Sequence, residues 1–308
     1  MTDSPASATS DDDDGTERVL GELTLTRALA IQMTAVGTLG TVAGWTLFAG
    51  LFGFVTGETV GFRFAPASLG WITTPVDILI VVFLGTFFLV PHEWLHGLAI
   101  RYYGGEPRYG VGVAHFVLPY AYATTDHEFT RNQFVVVLLT PLVVMTAVGV
   151  PLMLAFGWGW LVLPLTLNTA GAIADLWMTV SVLGYPAHVR IVDHETGARI
   201  MGREGDTPRT PSVTAVAWDA LAGAAVAVVA TALALTIGGP LLLPALGVES
   251  IVVGTPGRIT YLFEFANTPD EISLGVGPAV FGVGGLIGLA YALVQAYHRG
   301  RRPRVDAT

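Results

Sequence analysis

Six long apolar segments constrain the fold of this chain more than any other feature of its sequence. Each is long enough to cross about 30 Å of hydrocarbon as an α-helix. Only 13% of the 308 residues are charged and 52% are hydrophobic, whereas soluble domains carry about 25% charged residues. The segments are residues 28–54, 76–100, 134–156, 160–184, 214–237 and 276–297. The sequence therefore predicts an all-α membrane protein with about six transmembrane helices.

The ends of the chain are polar and flank this membrane domain. Residues 1–27 are acidic and lack the pattern of a secretory signal peptide. They predict a disordered tail, followed by a polytopic membrane domain over 28–297 and a basic tail over 298–308. Prolines at positions 240 and 244, preceded by two glycines, predict a break or a kink near the end of the fifth helix.

The arginines indicate how the helices are oriented. All 15 basic residues are Arg, and a six-helix arrangement with the N-terminus inside places 13 of them on inner segments. Only Arg63 and Arg258 fall outside. The positive-inside rule therefore predicts a multi-pass protein of the cell membrane with both termini in the cytoplasm.

The overall charge and the lack of cysteine exclude several kinds of site. The net charge is -9, which predicts no nucleic-acid partner because nucleic-acid binding depends on Lys and Arg. The chain has no Cys, so thiolate metal ligands and Cys nucleophiles are excluded. The expected partners are the lipid bilayer and a membrane protein or peptide.

Two loops contain apolar residues but are too short to span as helices. Residues 111–122, after the second helix, are apolar and aromatic, and they predict a short re-entrant or interfacial hairpin. An apolar run at 259–265 in an outer loop indicates a short strand. Neither loop changes the predicted number of membrane helices.

The second helix carries the pattern His-Glu-x-x-His, in His92, Glu93 and His96. Residues four apart share one helix face, so both imidazoles can bind a single ion. The glutamate beside them can act as general base on a zinc-bound water without being a ligand, as in zincins. Ionisable groups within a membrane helix are costly, which favours a functional role over helix packing alone.

The fourth helix offers a third ligand at a similar depth. Asp175 is its only charged residue, and a rise of about 1.5 Å per residue puts Asp175 and His92 about 12–13 Å from the inner helix ends. Asn168 lies seven residues before Asp175 and shares its helix face. Asp175 is therefore a candidate zinc ligand. The alternative is a carboxylate hydrogen-bonded to a neighbouring helix without metal.

Together these motifs resemble two groups of membrane proteins. A His-Glu-x-x-His helix followed by an Asn-to-Asp motif is similar to intramembrane metalloproteases of the site-2-protease type. More closely, the chain resembles the family called putative zincin peptidases. The shared elements are His-Glu-x-x-His-Gly, a Tyr-rich hairpin, the segment 132–134 leading to Thr140-Pro141, and Asn-x-x-Gly-x-x-x-Asp. They lie within a predicted metal-site core of residues 76–184.

The resemblance implies roles for five residues. His92, His96 and Asp175 would bind Zn²⁺, and Glu93 would be the catalytic base. Asn168 would line the site and bind the substrate backbone. The Asn-to-Asp segment departs from the site-2-protease pattern, because Asp175 is followed by Leu176 instead of Gly.

Other polar residues are weaker candidates. His115 and His127 lie in the loop after the second helix, from which either could reach the site. The cytoplasmic sequence Asp193-His194-Glu195 is predicted to be solvated. The tyrosines around the hairpin are predicted to form an interfacial belt.

Two functions remain open at this stage. The first is a zinc-dependent intramembrane endopeptidase that hydrolyses peptide bonds of membrane proteins, with Glu93 as general base. The second is a non-enzymatic membrane protein in which His92, Glu93, His96 and Asp175 form a cation or proton site for transport or binding. Replacing Glu93 with Gln distinguishes them, because a hydrolase keeps its metal and loses turnover, whereas a transporter changes its ion affinity.

Overall fold

The computed structural model describes residues 17–61, 73–114, 118–194, 197–206, 212–268 and 272–301. Within these ranges the helices are α1 (Arg27–Thr56), α2 (Thr73–Tyr102), α3 (Arg131–Phe156), α4 (Val162–Gly171), α5 (Ile173–Val182), α6 (Ser212–Leu233), α7 (Gly239–Ala245) and α8 (Ala279–Arg301). The strands in the same ranges are β1 (Arg18–Thr24), β2 (Arg108–Ala114), β3 (Leu118–Thr124), β4 (Glu128–Thr130), β5 (Arg190–His194), β6 (Gly197–Gly202), β7 (Ser250–Val253), β8 (Phe263–Asn267) and β9 (Ile272–Val276). The all-α prediction is therefore wrong in part, because a mostly helical chain also forms three β-sheets in its described residues.

Long apolar helices dominate the structure. Among the described residues, five segments are long and apolar enough to cross a membrane: Arg27–Thr56, Arg131–Phe156, Gly159–Val182, Val213–Ala245 and Ala279–Arg301. They coincide with five of the six predicted segments. The other predicted segment lies in α2, a helix of 30 residues.

The helices expose much of their apolar surface. Phe54 is 89% exposed and Leu286 is 72% exposed, and many Leu and Val side chains on α1, α3, α6 and α8 are half exposed or more. Monomeric soluble proteins rarely leave contiguous apolar patches of this kind in water. The exposed surface therefore indicates association with a membrane.

The fifth membrane segment does not end at its glycines and prolines, but its regular α-helix is interrupted next to them, where the sequence predicts a break or kink. After α6 the chain makes a π-helical turn at Ala234–Gly238 and goes directly into α7. Pro240 lies in the first turn of α7, where its missing N–H would have no helical partner in any case. The whole stretch Val213–Ala245 is thus one helical segment of 33 residues.

A four-stranded antiparallel sheet lies at one end of the helices, in the strand order β1-β6-β5-β4. Its edge strand β1 pairs with β6 from Arg18 opposite Gly202 to Thr24 opposite Gly197. The prediction of a disordered tail over 1–27 is therefore wrong for residues 18–24, while residues 1–16 lie outside the described part of the chain.

This sheet is fixed to the helices by a shared apolar core. The core residues come from α2, α3, α5 and the strands, and they include Ile100, Phe129, Phe134, Val182, Ile191 and Ile200. The helix α3 begins directly after β4 with a capping box, in which the Thr130 side chain accepts from the Gln133 N–H and the Gln133 side chain accepts from the Thr130 N–H. The sheet therefore packs directly against α2 and α5, the helices that carry the candidate ligands.

The remaining strands form two small sheets. β2 and β3 pair as an antiparallel hairpin from Arg108 opposite Thr124 to Ala114 opposite Leu118, so the predicted hairpin at 111–122 is confirmed as a β-hairpin. β7, β8 and β9 form a sheet between α7 and α8. The strand indicated at 259–265 overlaps β8 only from Phe263 onward.

Candidate metal centre

The two histidines of the motif lie one turn apart on the buried face of α2. Their ring centroids are 4.9 Å apart, and His92 and His96 are 4% and 7% exposed. Trp94 and Leu98, on the opposite face, are about half exposed. The helix therefore directs both imidazoles inward, as the spacing of four residues predicts.

Asp175 brings a carboxylate to both rings. One oxygen, Oδ2, lies 3.2 Å from Nε2 of His92 and 3.5 Å from Nε2 of His96, and Asp175 is 8% exposed. Atoms bound to zinc at about 2.0–2.2 Å in a tetrahedron lie about 3.3–3.6 Å apart. Both distances from Asp175 therefore match those between the ligands of a tetrahedral zinc site, and the three side chains can hold one metal ion.

The other ring nitrogen of each histidine, Nδ1, also makes a hydrogen bond. Nδ1 of His92 donates to Oδ1 of Asn168 over 2.9 Å, and Nδ1 of His96 donates to the carbonyl of Val137 over 2.9 Å. A histidine that donates from Nδ1 keeps the Nε2 lone pair for a metal. Both Nε2 atoms face Asp175, so the donor set fits Zn²⁺.

Asn168 thus contacts His92 directly, whereas the sequence resemblance suggested a contact with substrate. We expect Asn168→Ala to weaken zinc binding by about 10–100-fold, because losing the partner that orients a ligand typically has this effect. Competition against a zinc chelator would measure the affinity. Thr169→Ala is the matched control, since its hydroxyl bonds only the Leu165 carbonyl of its own helix. Equal affinity in the Asn168→Ala and control variants would contradict an orienting role.

A cavity of about 270 Å³ opens beside the cluster, and Glu93 lines it together with His92, His96 and Asp175. Most other lining side chains are apolar, and they include Leu23, Met33, Phe134, Leu138, Ile173, Trp177 and Met178. Glu93 is only partly buried. The cavity therefore holds a carboxylate that is free of the metal cluster and has space for a ligand beside it.

The β-hairpin forms one wall of this cavity. Residues 120–124 of β3 line it, and the hairpin packs on α2 next to His96, because a Cβ at Gly97 would collide with the Tyr109 hydroxyl. Glycine after the second histidine therefore lets the hairpin approach α2. Tyr120 and Tyr122 line the cavity and are only partly exposed, which the prediction of an interfacial belt did not anticipate.

The weaker candidates have different outcomes. His127 packs against Phe129 and is not among the described residues that line the cavity, so the structure does not place it at the candidate site. His115 and Glu195 lie outside the described residues. Asp193 and His194 line the cavity beside the candidate ligands, so the prediction of a solvated loop is wrong for both.

Sequence reasoning missed Asp193 and His194 because they lie on β5, whose place depends on pairing with β6. The only available signal was a run of three polar residues in a short loop. Sequence reasoning also missed β1 for the same reason. Leu23 of β1 and Leu25, which follows the strand, both line the cavity.

A comparison with known families matches the segment that builds this site. Residues 85–190 match the model of a family described as "Putative zincin peptidase". No curated protein and no solved structure matches the chain. The matched segment contains all three candidate ligands, Glu93 and Asn168. Residues 85–190 are therefore the part of this chain that is similar to the putative zincin peptidase family.

Proposed function

We propose that the protein is a zinc-dependent intramembrane endopeptidase that hydrolyses peptide bonds of membrane proteins, in the manner of site-2-type proteases. The observation that carries the proposal is the convergence of His92 Nε2, His96 Nε2 and Asp175 Oδ2 beside a cavity that Glu93 also lines. A metallopeptidase needs three protein ligands, an open position and a base close to it. The match to a zincin family supports the same reaction class.

The roles of the side chains follow from this arrangement. His92, His96 and Asp175 would hold Zn²⁺, which when bound lowers the pKa of a water molecule toward about 7 and polarises a carbonyl. Glu93 takes a proton from the attacking water and delivers it to the leaving amine. Asn168 and the Val137 carbonyl keep the two imidazoles in the required orientation.

The hairpin provides a way to bind an extended substrate. A transmembrane helix hides its peptide carbonyls in its own hydrogen bonds, so it must unwind locally before it is cleaved. β3 lines the cavity, and the β2–β3 sheet has two strands in the part of the chain that the structure describes. An unwound segment can therefore pair with a strand edge beside Glu93.

The sheets support the proposed orientation in the cell membrane. The strands of the β1-β6-β5-β4 sheet come from the N-terminal segment and from the α2–α3 and α5–α6 connections, which the arginine distribution assigns to the cytoplasm. One sheet can form from these segments only if they lie on the same side. The β7-β8-β9 sheet comes from the α7–α8 connection, which is assigned to the opposite side.

A labelling experiment checks this orientation. Because the chain has no Cys, Ile259→Cys and Glu204→Cys each introduce a single exposed thiol. We expect a membrane-impermeant maleimide to label position 259 in intact cells and position 204 only after permeabilisation. The cysteine-free chain is the control. Labelling of both positions in intact cells would contradict the orientation and the shared depth of the candidate ligands.

The experiment that tests the function compares the wild type with Glu93→Gln on a synthetic transmembrane peptide in proteoliposomes. Cleavage by the wild type, and its loss in the variant with zinc retained, supports the peptidase. Absence of cleavage together with a changed cation affinity in the variant supports a transport or binding site instead.

A further inference from the structure

Asp193 is an ionisable group of the cavity that the proposed reaction does not use. It lies on β5, opposite Ala198 of β6, and lines the same cavity as Glu93 and Asp175. It is only partly exposed. A carboxylate placed there by a separate sheet needs an explanation beyond metal binding, because the three candidate ligands are already on α2 and α5.

The carboxylate is poorly compensated by its surroundings. Burial raises the pKa of Asp193 to about 7, although Thr124 and His96 act to lower it. The Thr124 hydroxyl lies beside it and is 4% exposed. This hydroxyl acts on Asp193 as a hydrogen-bond donor. The Asp193 carboxylate and the Thr124 oxygen therefore both present acceptors to a ligand that donates hydrogen bonds.

The charges of the cavity favour a cation as that ligand. Among the described residues that line it, Glu93, Asp175 and Asp193 are acidic, and none is Lys or Arg. A dication held by Asp175 and two neutral imidazoles has one net positive charge, which Glu93 balances. The charge of Asp193 then has no Lys or Arg counterpart among the described residues that line the cavity.

The remaining walls suit a long side chain with a charged end. Tyr120, Tyr122 and Phe134 line the cavity, and Lys or Arg can lay its methylene groups along such apolar surface while its charged head contacts a carboxylate. The cavity volume of about 270 Å³ leaves room for one side chain of this size.

We propose that Asp193 and Thr124 form a subsite that binds the Lys or Arg side chain of a peptide substrate beside the metal cluster. The subsite rests on the proposed peptidase function for its biological meaning. It makes the enzyme selective for peptide bonds near a basic residue, in sequences that are otherwise apolar.

Binding to the zinc-loaded Glu93→Asp protein tests the subsite with slowed cleavage, because aspartate keeps the negative charge at position 93 while its shorter side chain withdraws the carboxylate from the attacking water. The probes are two N-acetylated apolar peptides that carry one internal Arg or its neutral isostere citrulline, so that an α-amino group cannot substitute for the side chain. We expect the Arg peptide to bind about tenfold more tightly, as a charge-assisted hydrogen bond typically provides. Adding Asp193→Asn should make the two affinities equal.

Asp126→Asn is the matched control, because Asp126 is an exposed carboxylate that pairs with Arg108 and does not line the cavity. It should keep the tenfold ratio. Equal binding of both peptides to the protein in which Asp193 is unchanged would overturn the subsite. An affinity ratio that is unchanged after Asp193→Asn would overturn it as well. So would tighter binding of peptides that carry only a free N-terminus.

Cleavage rates separate this proposal from the peptidase function. If the wild type cleaves both peptides with equal kcat/KM and binding shows no preference, the subsite is wrong and the peptidase stands. If binding prefers the Arg peptide but the wild type cleaves neither, the subsite stands and the peptidase is wrong.

Discussion

Glu93→Gln is expected to lower peptide cleavage by about 10²–10⁴-fold, the usual contribution of a general base, while the protein retains about one zinc per chain. Glu93 follows His92 directly and is offset from it by about 100° around α2. It lines the cavity but is not part of the group that can hold a metal. Glutamine preserves the size of the side chain and cannot accept the proton.

Rate and metal content must be measured on the same preparation. Cleavage of the transmembrane peptide gives kcat/KM, and elemental analysis of the purified protein gives the zinc content. Glu106→Gln is the matched control, because Glu106 is exposed in the loop after α2. This variant should cleave the peptide at the wild-type rate. Cleavage by Glu93→Gln at that same rate would show that the peptidase mechanism is wrong and would favour the cation-site hypothesis.

Asp175→Asn and His96→Ala are expected to lose zinc and activity together. Either change leaves two protein ligands, which make a poor zinc site. The affinity should therefore fall by more than the roughly 10–100-fold typical when a ligand loses only its hydrogen-bond partner. Asparagine has almost the shape of aspartate, so Asp175→Asn removes the charge with little change in packing. Chelator competition would measure the affinity of each variant.

His127→Ala provides the control for the histidine variant. His127 lies in the loop after α2 and packs on Phe129, outside the described lining of the cavity, so this variant should keep the wild-type zinc content. A thermal unfolding curve for each variant shows whether it is folded. Full zinc occupancy in folded His96→Ala or Asp175→Asn would refute the assignment of ligands.

The chain determines the metal-binding part of the site largely through helical periodicity. His92 and His96 share a face of α2 because four residues make about one turn, and this holds in any environment that keeps the helix. Asp175 could be paired with these histidines from its predicted depth in the membrane alone. The second and fourth predicted segments are both long apolar helices, and the sequence indicates where each of them ends. The structure places Oδ2 of Asp175 3.2 Å from Nε2 of His92 and 3.5 Å from Nε2 of His96.

The role of Asn168 is less accessible to this kind of reasoning. The spacing of seven residues predicts that it shares a face with Asp175, and the structure agrees, since both contact His92. Whether Asn168 faces the substrate or a ligand depends on how α4 and α2 are rotated against each other. That rotation is set by packing between helices, which no local spacing encodes.

The sequence by itself thus determined the long apolar helices, the helix that carries the two candidate histidine ligands and the third candidate ligand, because apolar length and helical period are local properties of the chain. Only the tertiary structure decided that residues 18–24 form a strand and that Asp193 enters the cavity. β1 pairs with β6 across more than 170 residues of chain, and strands of three to seven residues carry too few alternations to reveal a partner. Their register is fixed by the apolar core that they share with α2, α3 and α5.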